Sequence, residues 1–170
     1  MASDTQNKSE MARLEKLHKA IMGMKFEKTA LASMTRKKKA REKINILLVE
    51  DDILIRSLVT NTLIKNFETL PVGFGHQALS KYILFAPDIV FLDIHLPDIN
   101  GLDLLKKILE IDPDAYVVML SSDQGPANIA KAMENGAKGF IGKPFTREKL
   151  FSHIKQYTQQ SLEVQYEIPV

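Results

Sequence analysis

The stretch IVFLDIHLPDING, Ile89 to Gly101, places an aspartate directly after four apolar residues and then continues through a proline to a glycine. A short apolar run rich in branched side chains is typical of a strand buried on both faces of a sheet. Pro97 and Gly101 mark the segment after it as a loop. The stretch therefore predicts a buried strand that ends at a lone carboxylate, Asp93.

The same unit of strand and helix occurs five times from Ile44 onward. The predicted strands cover residues 44–49, 69–72, 88–92, 115–120 and 138–142. Helical spacing of apolar residues follows at 55–63, 79–83, 101–110, 126–135 and 146–160. Pro71 places the second strand at a sheet edge. Continuous apolar strands alternating with amphipathic helices predict an α/β fold, a doubly wound (βα)5 arrangement with a parallel five-stranded sheet covered on both faces.

Composition narrows the class of protein. The chain has 170 residues, of which 45% are hydrophobic, enough for one ordinary core. It has no cysteine, which excludes disulfides and thiolate metal sites and suits a reducing cytoplasm. No apolar run approaches the roughly 18 residues that a membrane span requires. A cytoplasmic protein without a membrane span is expected.

Charge divides the chain near Ile44. Residues 1–43 hold twelve Lys and Arg against five Asp and Glu, whereas the remaining residues hold eleven against sixteen. We expect a basic, helical N-terminal extension over 1–43, a main domain over 44–160 and a C-terminal tail over 161–170. The tail is too short for a DNA-binding output domain.

Polar residues cluster where the predicted strands end. In parallel α/β sheets the functional site lies beyond the carboxyl ends of the strands. The residues at these positions are Glu50, Asp51, Asp52, Asp93, Ser121, Ser122, Lys143 and Pro144. Neighbouring carboxylates repel one another by roughly 4 kcal/mol per pair at 4 Å and an effective dielectric constant near 20. An open, all-oxygen site of this kind suits Mg²⁺.

Four blocks of the sequence resemble a known family. LLVEDD, DIVFLDIHLPDINGLDLL, VVMLSS and GFIGKPF are similar, in this order, to the signature blocks of the response-regulator receiver domain, the CheY-like phosphoacceptor module of two-component signalling. The resemblance covers about residues 44–160. It implies the flavodoxin-like strand order 2-1-3-4-5, which comes from the family and not from the residue pattern.

The resemblance also implies a phosphoacceptor and its metal. Asp93 would take a phosphoryl group from a histidine kinase or a histidine phosphotransfer protein, forming an aspartyl phosphate. Asp51, Asp52 and Asp93 would bind Mg²⁺ together with the backbone carbonyl of His95. Glu50 is interpreted as a neighbour of the metal.

Three further residues receive roles from the family. Lys143, which would precede a cis proline, would neutralise charge on the transferred group, and Ser121 would hydrogen-bond it afterwards. Phe140 would then turn toward the core and change the face made by the last two helices and the strand between them, which a downstream protein would read. Such a domain is not an enzyme in the usual sense.

Simpler interpretations of these residues stay open. An aspartate after a strand is often a helix N-cap, and this applies to Asp93 and to one of Asp51 and Asp52. Lys143 could be a solvated charge.

Two phosphoryl-transfer enzyme classes fit less well. Haloacid-dehalogenase-type phosphatases place a second aspartate two residues after the nucleophile, where this chain has His95, and they give no role to the early Asp pair. No GxxxxGK[ST] loop of a nucleotide hydrolase occurs.

The N-terminal extension allows several functions. Its apolar residues follow a helical spacing weakened by Gly23, and they are Leu14, Leu17, Ile21, Met24 and Leu31. Such a helix is marginal alone, so it must pack on its own domain, on a second copy in a homodimer, or on a partner. The extension also allows an alternative function, that of an adaptor or dimerisation protein that works without phosphorylation.

The basic run RKKKAREK, residues 36–43, is interpreted as a solvated linker or a cap for the C-terminus of the helix that precedes it. An anionic partner is the alternative. No aromatic or base-reading motif accompanies the run, so nucleic acid is not the expected partner.

Overall fold

The computed structural model describes residues 28–166 and, before them, residues 12, 13, 15, 16, 19, 20, 22 and 23, which are helical. Five strands form one sheet in the order β2-β1-β3-β4-β5, and every neighbouring pair is parallel. The strands are β1 (Asn45–Val49), β2 (Glu68–Val72), β3 (Ile89–Asp93), β4 (Tyr116–Ser121) and β5 (Gly139–Gly142). The predicted fold and strand order are confirmed, and β2, which contains Pro71, is an edge strand.

Six helices have defined bounds. They are α1 (Lys28–Lys39), α2 (Ile53–Leu63), α3 (Gly75–Phe85), α4 (Gly101–Ile111), α5 (Pro126–Glu134) and α6 (Arg147–Tyr166). The prediction ended the last helix near residue 160, which is too early. Residues 161–166 contain no glycine or proline, so nothing in the local sequence stops α6 there.

The sheet separates two apolar layers. On one face Ile46, Leu48 and Phe91 pack with α2 and α6, which contribute residues such as Val59 and Ile154. On the other face lie α3 and α4 with most of the remaining core. Alternate residues of each strand point to opposite faces, so a strand that is buried on both sides is apolar along its length. Apart from the first residue of β1 and the last residue of β3, all residues of these two strands are apolar.

The described part of the N-terminal extension packs on its own domain. Helix α1 contacts α3 and α4, and Met34 is fully buried in the same core layer. Met22 and Leu31 are half-buried, and Met22 packs against this layer. Of the predicted apolar stripe, Leu14, Leu17, Ile21 and Met24 lie outside the described residues.

Basic residues of the extension cap α3. The Nζ of Lys37 donates to the carbonyl of Leu84, and the guanidinium of Arg41 donates to the carbonyls of Phe85 and Ala86. Carbonyls at a helix C-terminus lack partners within the helix and carry partial negative charge, so cations there are stabilising. The basic run therefore caps α3 as well. Four of its residues also lie in the last turn of α1, the helix that precedes the linker, and they are Arg36, Lys37, Lys38 and Lys39.

Two buried acids complete this attachment. Asp88 pairs with Arg41 at 2.8 Å, and Asp112 pairs with Lys38 at 3.0 Å and accepts the hydroxyl of Tyr82 at 2.9 Å. Burial and the Asp112 carboxylate raise the pKa of Tyr82, which keeps that hydroxyl a donor. Asp88 and Asp112 precede β3 and β4, so the extension is held at the amino ends of these strands.

None of the helices in the described part of the chain combines the length and the apolar character that a membrane-spanning helix needs.

Truncation of Met34 tests the packing of α1. Met34→Ala should lower the free energy of unfolding by about 2–5 kcal/mol, because it leaves a cavity between α1, α3 and α4. Urea unfolding of the full chain measures this change. The same substitution at Met133, which is 45% exposed, is the control and should cost under about 1 kcal/mol. Equal losses at the two sites would contradict the packing described.

Candidate functional site

The carboxyl ends of β1, β3, β4 and β5 meet at one rim of the sheet. Asp93 is the last residue of β3, Ser121 is the last residue of β4, and Lys143 directly follows β5. Glu50 and Asp51 directly follow β1. The sheet brings these five residues, far apart in the sequence, to one place because its strands are parallel and in register.

Lys143 joins the buried carboxylates of the rim. Its Nζ lies 2.8 Å from Asp93 Oδ2 and 2.7 Å from Glu50 Oε2. All three side chains are at least nine-tenths buried. Its backbone N–H donates to the carbonyl of Ser121 at 2.7 Å, and the Lys143–Pro144 peptide bond is cis.

The electrostatics of this group favour a further cation. Burial raises the pKa of Glu50 to about 6, Asp93 adds to the rise, and Lys143 opposes it. Burial by itself lowers the pKa of Lys143, but its contacts with Asp93 and Glu50 outweigh that effect, so its pKa is raised. The exposed carboxylate of Asp51 also lies close to Glu50 and Asp93, so the ammonium of Lys143 is the counter-charge for three acids. The group therefore carries more negative than positive charge when ionised.

The oxygens of Glu50, Asp51 and Asp93 could hold a metal ion. One carboxylate oxygen from each lies within 4.8 Å of the others. Glu50 Oε2 lies 2.7 Å from the ammonium of Lys143, and Glu50 Oε1 accepts the backbone N–H of Asp52 at 3.2 Å. A set of oxygen donors with one open side fits a hard divalent cation.

The structure differs from the predicted metal set at Asp52. Its Oδ1 accepts the backbone N–H groups of Leu54 at 2.8 Å and Ile55 at 3.0 Å, so Asp52 is the N-cap of α2. Glu50 occupies the place in the acidic group that was predicted for Asp52. Because Asp52 comes directly before the first helical residue, its position was the available signal for a cap.

The loop after Asp93 holds that residue in place. His95 donates its backbone N–H to Asp93 Oδ1 at 3.1 Å, while its side chain is exposed. A Cβ at Gly101 would lie 2.1 Å from the backbone oxygen of Asp93, so the start of α4 can approach the phosphoacceptor candidate only with glycine. The Asp93 side chain does not cap α4, since Asn100 is the N-cap.

Asp98 is a site-supporting residue that the sequence did not indicate. Its buried carboxylate accepts the backbone N–H groups of Gly75 and His76, at 2.9 and 2.7 Å, and contacts His76 Nδ1 at 2.8 Å. It thereby fixes the loop after β3 to the start of α3. Pro97 and Gly101 predict only a loop for this segment, since no local pattern shows which helix a loop carboxylate will reach.

Ser121 is the last residue of β4, and Phe140 lies in the neighbouring strand β5. Ser121 is fully buried, one position beyond Leu120, the register partner of Asp93. Its Oγ accepts the backbone N–H of Asp123 at 3.0 Å. Phe140 is half-buried in β5 and packs against the α3/α4 layer of the core. Their roles in switching stay predictions.

Comparison with known proteins identifies the family. Residues 46–155, well over half of the chain, match the family model described as the response regulator receiver domain. The chemotaxis protein CheY of Bacillus subtilis is 35% identical over 113 residues, which are 65% of this chain and 94% of that protein. CheY of Thermotoga maritima is 32% identical over 116 residues, 67% of this chain and 97% of that protein.

Solved structures agree with this assignment. A chain of the CheX–CheY–BeF3–Mg²⁺ complex from Borrelia burgdorferi superposes with a TM-score of 0.63 at 30% identity, and the match covers 66% of this chain and 87% of that one. The chain belongs to the response regulator receiver domain family. Receiver domains are signalling domains of two-component response regulators and not conventional enzymes.

Removal of Lys143 tests the electrostatics of the rim. Lys143→Met leaves Glu50 and Asp93 buried without their cation, which should lower the free energy of unfolding by about 3–5 kcal/mol. Urea unfolding without divalent cations measures the loss. Lys138→Met, at an exposed lysine just before β5, is the control and should change stability by less than about 0.5 kcal/mol. A small loss at Lys143 would mean that its ammonium is not the counter-ion of the two acids.

Proposed function

We propose that this protein is a phosphorylatable response regulator in which Asp93 accepts a phosphoryl group from a phosphohistidine of a kinase or phosphotransfer protein. The observation that carries the proposal is the buried Lys143. Its ammonium contacts Asp93, which is itself one of the three carboxylates of the acidic group. A phosphoacceptor needs a carboxylate nucleophile together with cationic charge for the incoming oxygens.

Each residue of the rim has a place in the transfer. An oxygen of Asp93 forms the new bond to phosphorus as the bond from phosphorus to the donor imidazole nitrogen breaks, and the electron pair of that bond stays on the imidazole. Lys143 is already within 2.8 Å of Asp93, so its ammonium can contact the oxygens of the transferred group. The hydroxyl of Ser121 can donate to the same group afterwards.

A magnesium ion fits the acidic group. Glu50, Asp51 and Asp93, with the backbone carbonyl of His95, would hold it, and Mg²⁺ would supply charge neutralisation for the phosphoryl oxygens. The presence of BeF3 and Mg²⁺ in the Borrelia burgdorferi complex supports this choice.

An exposed apolar surface of α2 lies beside the site, where a phosphodonor protein could bind. Ile53, Leu54 and Leu58 of α2 are 66–80% exposed, and the helix starts at Asp52, next to the acidic group. Exposed apolar side chains that cluster beside a reactive group are typical of a protein contact. A donor protein that covers this end of α2 would also bring its phosphohistidine to the rim.

The output is a changed protein contact. Phosphorylation of Asp93 adds charge at the end of β3, and a shift of Ser121 and Phe140 would transmit its effect to the face formed by α5, β5 and α6. A downstream protein would bind this face in only one of the two states, phosphorylated or unphosphorylated. We assign residues 44–160 to the receiver and 1–43 to an extension, although α6 itself continues to Tyr166.

A phosphorylation-independent adaptor is the second candidate function. It is favoured by α1, which packs on α3 and α4 but lies outside the residues 46–155 that match the receiver family. Helix α1 therefore adds a surface that the matched segment does not contain. A nucleic-acid contact through the basic run is less favoured, since Lys37, Lys38 and Arg41 already bind groups of the receiver. A dimer through the extension is tested together with phosphorylation.

Phosphorylation by acetyl phosphate with Mg²⁺ tests the main proposal. Intact mass should show one phosphoryl group on the wild type and none on Asp93→Asn, which lacks the nucleophilic oxygen. Asp114→Asn, at an exposed aspartate before β4, is the matched control and should be phosphorylated normally. Gel filtration of the same samples reports dimerisation. Absence of the adduct, where another receiver is phosphorylated, would favour the adaptor.

Calorimetric titration with Mg²⁺ separates the two candidate acidic sets. Glu50→Gln and Asp51→Asn should each weaken binding at least about tenfold, because each removes a carboxylate ligand. Asp52→Asn should stay within about twofold of the wild type, since asparagine caps a helix as well as aspartate does. Loss of binding in Asp52→Asn with retention in Glu50→Gln would restore the set expected from the sequence.

A further inference from the structure

Arg56 binds the backbone of the acidic loop. Its Nη1 donates to the carbonyl of Glu50 at 2.7 Å and to the carbonyl of Asp51 at 2.9 Å. These are the two residues that meet Asp93 in the acidic group. Arg56 lies in the first turn of α2, where its own N–H donates to the carbonyl of Asp52 at 2.9 Å. The guanidinium therefore reaches back from a rigid helix over the loop that precedes it.

The loop after β2 encloses the guanidinium on another side. A Cβ built at Gly73 would lie 3.1 Å from Arg56 Nη1 and 3.4 Å from its Cζ. Gly73 follows Val72, whose carbonyl accepts the N–H of Glu50 at 3.0 Å. Arg56 is thus placed between the loops that follow β1 and β2, and it contacts the first of them twice.

These two hydrogen bonds define the direction of the acidic side chains. Peptide groups are planar, so fixing two consecutive carbonyls fixes the two peptide planes on either side of Asp51. The Cα–Cβ direction of Asp51 follows from those planes. That of Glu50 is set by the first of them together with the preceding peptide group, whose N–H donates to the carbonyl of Val72 at 3.0 Å. Hydrogen-bond partners outside the ligand set orient metal ligands in this way, and their loss typically costs affinity.

We propose that Arg56 is a positioning residue for the divalent cation: it holds the backbone of Glu50 and Asp51 so that their carboxylates face Asp93. The inference rests on the proposed function, which places Mg²⁺ in this acidic group. Arg56 donates to backbone carbonyls of the loop, so its role is to orient the ligands and not to bind the ion.

Charge and positioning predict opposite effects when Arg56 is replaced. The guanidinium is a cation near a cation site, so its removal by itself should strengthen Mg²⁺ binding through reduced repulsion. Loss of positioning should weaken binding. A fall in affinity in Arg56→Met therefore cannot come from the change in net charge.

Gly73→Ala provides a variant that keeps Arg56. The added methyl group would press on the guanidinium at 3.1 Å, a distance that requires a shift of a few tenths of an ångström. Its effect on Mg²⁺ binding should depend on Arg56, so it should vanish in the Arg56→Met background. This double-mutant cycle stays informative even if Arg56→Met lowers overall stability.

The test is calorimetric Mg²⁺ binding to the full chain, with the rise of Tm caused by Mg²⁺ as a second readout. Arg56→Met should raise the Kd about tenfold, and Gly73→Ala about threefold in the Arg56 background only. Arg56→Lys, which keeps the charge and one donor group, should restore part of the affinity. Lys65→Met, beyond the far end of α2, removes the same charge and should leave the Kd unchanged.

The outcomes separate the inference from the proposed function. Wild-type affinity in both Arg56→Met and Gly73→Ala would overturn the positioning role and leave the magnesium site intact. A lower Tm in Arg56→Met with an unchanged Kd would show a structural role only and would also overturn it. A wild-type chain that binds no Mg²⁺ would overturn the proposed metal site and, with it, the role of Arg56.

Discussion

The contact of Lys143 with Glu50 and Asp93 connects three strands that the sequence places far apart. Its ammonium follows β5, at one edge of the sheet, and its two partners follow β1 and end β3. Breaking such a buried pair costs several kcal/mol, because a charge is left without a partner in a poorly solvated place. The same contact leaves surplus negative charge at the rim, and a divalent cation could balance it. The cation and the ammonium of Lys143 would then face the oxygens of an incoming phosphoryl group.

The opposite end of the sheet is organised by a separate set of charges. There Arg41 and Lys38 of the N-terminal extension meet Asp88 and Asp112, and Met34 fills the space between α1 and the receiver helices. The described part of the extension is consequently part of the folded core at the amino ends of the strands. The contacts of Lys38 and Arg41 thus lie at the opposite end of the sheet from the rim that bears Asp93.

Most of the fold was accessible from the sequence, whereas the site was accessible only in part. Apolar runs such as Ile89–Leu92 predicted the strands, and Pro71 correctly placed β2 at an edge. Asp93 and Lys143 were predicted to share a site, and the structure places them 2.8 Å apart. The structure groups Glu50 and Asp51 with Asp93, whereas the sequence predicted Asp51 and Asp52. The three acids are consecutive, and local pattern alone cannot show which carboxylate turns toward Asp93.

The sequence by itself determined the alternation of strands and helices, the family, and the rim on which the polar residues gather, because periodicity and short motifs are local properties of the chain. Tertiary structure decided which atoms meet. It made Asp52 a helix cap and Glu50 a partner of Lys143, and it turned Asp98 toward α3 and Arg56 toward the acidic loop. These outcomes depend on how neighbouring loops pack on the sheet, and the distances that decide them join residues of different elements.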